Sequence, residues 1–197
     1  TILCCHEEIA VAVAHGYFKA TGKIMPAIVH NMVGLQHASM AIYNAWCDRT
    51  PVMVMGGTGP MNSSKRRPWI DWIHTAQVQG NIVRDFVKWD DQPFGVEAIP
   101  SSMMRGYRIA MSDPHGPVYL CFDVSDQEAP IDKEIPLPDP SRFRPPAPLQ
   151  AEAEAIKEAA RLLASAQNPV IIAGFLGRNH DAVLSLVQLA DLLSIPV

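Results

Sequence analysis

Pro26-Ala27-Ile28-Val29 is a short apolar run. His30-Asn31-Met32-Val33-Gly34 follows it, and Leu35 to Trp46 then has helical length and spacing before Val52-Met53-Val54-Met55 and Gly56-Gly57. The segment reads as strand, turn, helix and strand. Two short strands joined through a helix form a βαβ unit, and such units build a parallel sheet. The strands of a parallel sheet are buried on both faces, so they read as unbroken apolar runs rather than as alternating ones. These two do.

The same pattern continues outward. Ile2 to Cys5 reads as a short buried strand. Glu7 to Ala20 is Ala-rich, with Ile9, Val11 and Val13 between the alanines, so most faces are apolar and the helix is expected to be buried. Thr21-Gly22-Lys23 stops it. Residues 58–72 read as a loop, 74–84 and 98–111 as helical, and Val118 to Phe122 as a fourth strand after Gly116-Pro117. The expected fold for residues 1–128 is therefore α/β, a three-layer open parallel sheet. Seven prolines then fall between residues 130 and 148, a density that resists both helix and central strand. Residues 129–150 read as an extended, semi-rigid linker. Residues 151–197 restart the pattern with helix Ala151–Ala166, strand Val170–Ala173, the turn Gly174-Phe175-Leu176-Gly177 and helix Asp181–Leu193. They read as a truncated second α/β domain. The chain opens inside an apolar run and closes at Pro196-Val197 as another strand begins, so a piece of a longer protein is expected.

The net charge of −4 and 18% charged residues carry no nucleic-acid footprint, which would be a basic patch or stripe. The longest apolar runs fall far short of the roughly 18 residues of a membrane span. Cys4, Cys5, Cys47 and Cys121 form no Cys-x-x-Cys pair and no Cys/His metal spacing. They read as reduced thiols, and a cytoplasmic location follows from that. No metal-ligating cluster, P-loop or Gly-x-Ser-x-Gly elbow is visible.

Four groups of residues carry possible chemistry. His6-Glu7-Glu8 sits where a strand is expected to end and a helix to begin, and ligands of open α/β sheets bind outside the carboxyl ends of strands. Its acids also read simply as first-turn residues that suit the helix dipole. His30-Asn31-x-x-Gly34 with His37 follows the next strand, hence the same sheet edge. It reads either as an acid–base group or as turn chemistry. Ser63-Ser64-Lys65-Arg66-Arg67 with Trp69 and Trp72 reads as an anion or ring grip, or as a solvated loop with aromatic anchors. Gly174-x-x-Gly177 is half of a dinucleotide loop, without the full Gly-x-Gly-x-x-Gly fingerprint.

The run His6-Glu7-Glu8-Ile9-Ala10, Ala14-His15-Gly16-Tyr17 and Ala20-Thr21-Gly22-Lys23 resembles the helix that carries the catalytic glutamate in thiamine diphosphate (ThDP) enzymes of the acetolactate synthase and benzoylformate decarboxylase superfamily. Asn44-Ala45-Trp46, Val87-Lys88-Trp89 and Gly116-Pro117-Val118-Tyr119-Leu120 are most similar to benzoylformate decarboxylase. The resemblance implies a flavodoxin-like pyrimidine-binding domain over residues 1–128, with residues 151–197 opening the family's central domain. It implies that Glu7 is the carboxylate that hydrogen-bonds the cofactor's aminopyrimidine nitrogen. It places His30 where the decarboxylases have a His used in proton transfer, and Gly34 and His37 beside the cofactor. Where both relatives usually have Asn, this chain has His37, and its turn holds Asn31, Met32 and Val33 where the decarboxylases have small residues.

On this resemblance the protein acts on a 2-oxoacid, as a non-oxidative decarboxylase or alternatively as an acetolactate synthase-type carboligase whose central domain holds FAD. It needs ThDP and Mg2+, with the metal site in a domain beyond residue 197. It works as a homodimer or tetramer whose active sites are shared between subunits, so the 197 residues alone are expected to be inactive. A reading from another class is a non-catalytic nucleotide- or flavin-binding α/β protein in which Glu7 only caps a helix.

Overall fold

The computed structural model describes residues 1–197, which form two compact units, Thr1–Pro146 and Ala147–Val197. The first unit holds strands β1 (Pro26–Ile28), β2 (Met53–Thr58), β3 (Asp90–Asp91) and β4 (Val118–Asp123). Its helices are α1 (Glu7–Thr21), α2 (Met32–Cys47), the single turn α3 (Ile70–Ile73), α4 (Ile99–Ala110) and the short α5 (Val124–Gln127). The strand order is β1-β2-β4-β3 and every pair is parallel. Ala27 lies opposite Val54, and Val54 opposite Tyr119. This is the α/β open parallel sheet expected.

Side chains alternate along β2 and β4, and the two faces find different partners. Val54, Tyr119 and Cys121 pack with Val11 and Ala14 of α1 and with Leu35, Ala38, Ile42 and Ala45 of α2. Met53, Val118 and Leu120 face Met103, Tyr107 and Ala110 of α4. Helices thus cover both faces of the sheet, which makes three layers. Gly22 closes α1 in the left-handed region, φ 68°, and its N–H returns to Phe18 O, the usual role of glycine at a helix end.

Several expectations change. Residues 1–4 form no strand, because nothing pairs with them, and Leu3 is 96% exposed. α1 is not buried all round: Val11 and Ala14 are covered, while Ile9, Val13 and Tyr17 remain open. α2 begins at Met32 rather than Leu35, since the Asn31 side chain caps the Val33 N–H at 3.2 Å. The turn expected over 30–34 is therefore mostly the first turn of a helix. β2 does not stop at Gly56-Gly57, which pair with Cys121 and Phe122. Gly56 makes room instead: a Cβ there would lie 2.5 Å from the Tyr119 hydroxyl. The helix expected over 74–84 is replaced by two 3-10 turns, Gln79–Ile82 and Arg84–Phe86, and the turn α3 begins within the stretch expected to be a loop. β3 carries no apolar run and escaped notice.

Prolines do not free the stretch after β4. Pro140–Phe143 forms a 3-10 turn, and Lys133 bonds Glu97 at 2.9 Å. The second unit contains α6 (Ala153–Ser165) and α7 (His180–Leu193). Val170–Ala173 is not a strand. The Ile171 N–H donates to Pro196 O, but no ladder builds on that bond, and Ile172 is 92% exposed. No helix is long and apolar enough to cross a membrane.

Candidate active site

The carboxyl ends of β1, β2 and β4 share one edge of the sheet. A cleft of about 560 Å³ opens there, lined by His30, Asn31, Gly57, Thr58, Asp71 and His74 among others. A second hollow of about 720 Å³ lies between α1 and β1, lined by Glu7, Ala10, Val13, Ile28 and His30. His30 lines both.

Glu7 begins α1, where His6 is the N-cap and its Nδ1 accepts the Glu8 N–H at 3.2 Å. The Glu7 side chain crosses to the first turn of α2. A Cβ on Gly34 would stand 3.0 Å from Glu7 Oε1 and 2.8 Å from His30 Cβ. Only glycine lets the carboxylate lie there. His37 Nδ1 is 3.4 Å from Glu7 Oε2, and the His6 and His37 rings stack with centroids 4.9 Å apart.

The Glu7 carboxyl is held below the ordinary range. The first cause is a hydrogen bond from its own backbone N–H; His37 and His6 add to it against a partial desolvation. The carboxylate is half-open and kept ionised by these local donors.

The fold joins all four residues singled out in the sequence: Glu7, Gly34 and His37 meet directly, and His30 flanks them. It also makes groupings, and brings in residues, that the sequence pattern does not show. His6, Glu7 and His37 bring one ligand-type atom each within 4.8 Å of one another, a set hidden by their separation along the chain. The His74 ring stands 5.8 Å from that of His30. Gln79, fully buried, donates to the Tyr119 hydroxyl at 2.6 Å and to Gly57 O at 3.1 Å. Desolvation pushes the Tyr119 hydroxyl well above its usual range. Thr58 Oγ1 is buried without a hydrogen-bond partner at the cleft wall.

The basic and aromatic loop divides its labour. Arg67 grips buried Asp71 through Nε and Nη2, both at 3.0 Å, and donates its backbone N–H at 2.7 Å, and these bonds keep Asp71 ionised. Arg66 covers the Trp72 ring at 4.9 Å. Trp69 stays 73% exposed.

This arrangement defines a class: an open α/β sheet with a ligand site beyond its strand ends and an ionised carboxylate as anchor. Small-molecule sites are mostly apolar with a few placed polar groups. The hollow beside Glu7 has that character and offers an acceptor for a protonated ring nitrogen. A flat heteroaromatic ring such as the ThDP pyrimidine fits this donor set.

Residues 1–84 match the family described as thiamine pyrophosphate enzyme, N-terminal TPP binding domain. Over 204 aligned positions and 100% of its length, the chain is 29% identical to a probable acetolactate synthase large subunit of Methanocaldococcus jannaschii, covering 33% of that protein. It is 25% identical over 198 positions, 99% of its length, to benzoylformate decarboxylase of Pseudomonas aeruginosa, covering 36%. A solved structure from Mycobacterium smegmatis, described as a "putative thiamin diphosphate-dependent enzyme", matches 100% of the chain with a TM-score of 0.82 at 25% identity, and the chain covers 36% of it. Residues 1–84 thus match a thiamine pyrophosphate-binding domain family, and the whole chain is similar to thiamine diphosphate-dependent enzymes. It spans about a third of the length of the relatives it matches.

Proposed function

We propose that the protein carrying this chain is a ThDP-dependent enzyme acting on 2-oxoacids, a non-oxidative decarboxylase of the benzoylformate decarboxylase type. The observation that carries the reading is Glu7 itself: an ionised carboxylate at the start of α1, laid over Gly34 and flanked by His30 and His37. Bound ThDP supplies the electron sink for loss of the carboxyl carbon.

The chain's residues would do the rest. Glu7 holds the aminopyrimidine ring nitrogen, and its full charge stabilises a proton there better than a neutral amide would. Gly34 leaves room for that approach. His37 steadies the carboxylate from the solvent side. His30, at the end of β1 and open to the cleft, serves the substrate's oxygen. Mg2+, which would balance the charge of the cofactor's diphosphate, would be held outside these 197 residues. Two copies would share each active site.

The similarity to acetolactate synthases supports a second reading, a carboligase with FAD in its central domain. Calorimetric titration of ThDP with Mg2+ into the intact protein tests the proposal, followed by CO2 release from a panel of 2-oxoacids. Binding and CO2 release are expected. Absence of ThDP binding rejects the proposal, and a flavin spectrum in the purified protein selects the carboligase.

A further inference from the structure

His30 and His74 both line the 560 Å³ cleft, with ring centroids 5.8 Å apart and planes inclined at 40°. Each ring has one nitrogen engaged by the backbone, and the two engagements are of opposite kind. His30 Nδ1 lies 2.7 Å from the Asn31 N–H. An N–H only donates, so His30 Nδ1 must be the bare acceptor, and the neutral ring carries its hydrogen at Nε2. His74 Nδ1 lies 2.8 Å from Ile70 O. A carbonyl only accepts, so His74 Nδ1 carries the hydrogen and Nε2 is the bare nitrogen. The hydrogen-bond network sets the tautomers.

The two rings are therefore not interchangeable. Adding a proton to His30 would put it on Nδ1, against the Asn31 N–H at the start of α2. Adding one to His74 puts it on Nε2 and leaves the bond to Ile70 O intact. The cleft wall has a fixed hydrogen-bond donor on one side and a group free to gain and lose a proton on the other.

We propose that His74 is the acid–base residue of the cleft and that His30 is a neutral hydrogen-bond donor to the substrate oxygen. This deepens the function proposed above and rests on it. Decarboxylation of a 2-oxoacid anion to an aldehyde consumes one proton for each CO2 released. The Nε2–H bond of protonated His74 breaks, a C–H bond forms at the carbon that loses CO2, and neutral His74 regains a proton from water in the open cleft. His30 keeps its Nε2–H throughout and holds the oxygen by donation.

His74 escaped the sequence reading because it stands alone after a Trp-rich loop. The turn α3 delivers it: Ile70, four residues earlier, both starts the turn and supplies the carbonyl.

The test uses the intact protein with benzoylformate and pyruvate as probes. His74→Asn keeps an amide N–H near the Nδ1 position for Ile70 O and removes Nε2. Its kcat is expected to fall about 10²-fold or more, the scale of general acid–base catalysis, with ThDP affinity within about twofold of wild type. Long-range 1H–15N spectra of 15N-histidine-labelled protein should show neutral His30 as the Nε2–H tautomer and neutral His74 as the Nδ1–H tautomer. Wild-type ThDP binding with His74→Asn turnover within about threefold of wild type overturns the assignment of His74 alone. So does a His30 ring that carries its proton on Nδ1. A wild-type protein that binds no ThDP overturns the proposed function, and this inference falls with it.

Discussion

The two units follow the same sequence pattern and end in different structural states. In Thr1–Pro146, short apolar strands find partners on both sides and helices cover both sheet faces. In Ala147–Val197, an amphipathic α6, an apolar run and a second helix α7 occur in the same order, yet no strand forms. Every buried apolar side chain except Ile195 lies in the first unit. Leu35 of α2 is fully buried, whereas Leu184 of α7 is 65% exposed. The lesson concerns what a strand is. An apolar run becomes one only when a ladder exists to receive its N–H and C=O groups. Residues 1–4 make the same point within the first unit.

If the first unit alone carries the cofactor edge, changes there should abolish function while changes in the second should not. Glu7→Gln in the intact protein is expected to lower turnover by about 10²-fold or more with the thermal melt unchanged. Turnover near wild type at saturating ThDP would break the contrast. The packing difference has its own measure. In the 197-residue chain Leu35→Ala should cost about 2–5 kcal/mol by denaturant unfolding, and Leu184→Ala no more than about 0.5 kcal/mol. Equal costs would mean that the second unit buries its helix after all.

Gly34→Ala sharpens the contrast at the site, because its Cβ would collide with His30 Cβ and crowd Glu7 Oε1. ThDP should bind about tenfold more weakly (~1.4 kcal/mol), while Gly174→Ala in the second unit, where a Cβ meets nothing within 4 Å, should leave binding unchanged. The smallest effect is electrostatic. Asp48 accepts Lys19 at 2.7 Å and His15 at 3.0 Å, clamping the end of α1 to the end of α2. Lys19 is the first cause that lowers its pKa, against some desolvation, and His15 adds to it. A carboxylate lowered in the folded state adds stability above its unfolded pKa of about 3.9 and loses it as pH falls through the folded value. The pair is partly exposed, so the gain is small. Asp48→Asn should flatten the fall of Tm with acid below about pH 4 and lower Tm slightly at neutral pH. An unchanged acid limb would remove the clamp from the account.

Much of the fold was legible. The apolar runs 26–29 and 118–122 place β1 and β4 to within a residue, and the helical spacing between places α2 except for its first turn. What was misjudged depends on distant partners. Gly56-Gly57 looked like a stop because glycine weakens strands, but Tyr119 on the neighbouring strand needs the space Gly56 leaves. The turn at 30–34 looked irregular because Asn31, a capping residue, also suits loops. The site was legible as separate pieces. Nothing in the spacing of His6, Glu7, His30, Gly34 and His37 says that they touch, and His74 and Gln79 carry no local signal at all.

The sequence by itself determined the α/β pattern, the proline-rich stretch after it and the acidic start of α1, because periodicity, proline chemistry and helix-end charge act over a few residues. The tertiary structure alone decided that Glu7 lies across Gly34 under His37, that the His30 and His74 rings line one cleft, and that the second unit's apolar run stays unpaired. Each of these depends on which distant segments meet, and so on strand order and packing.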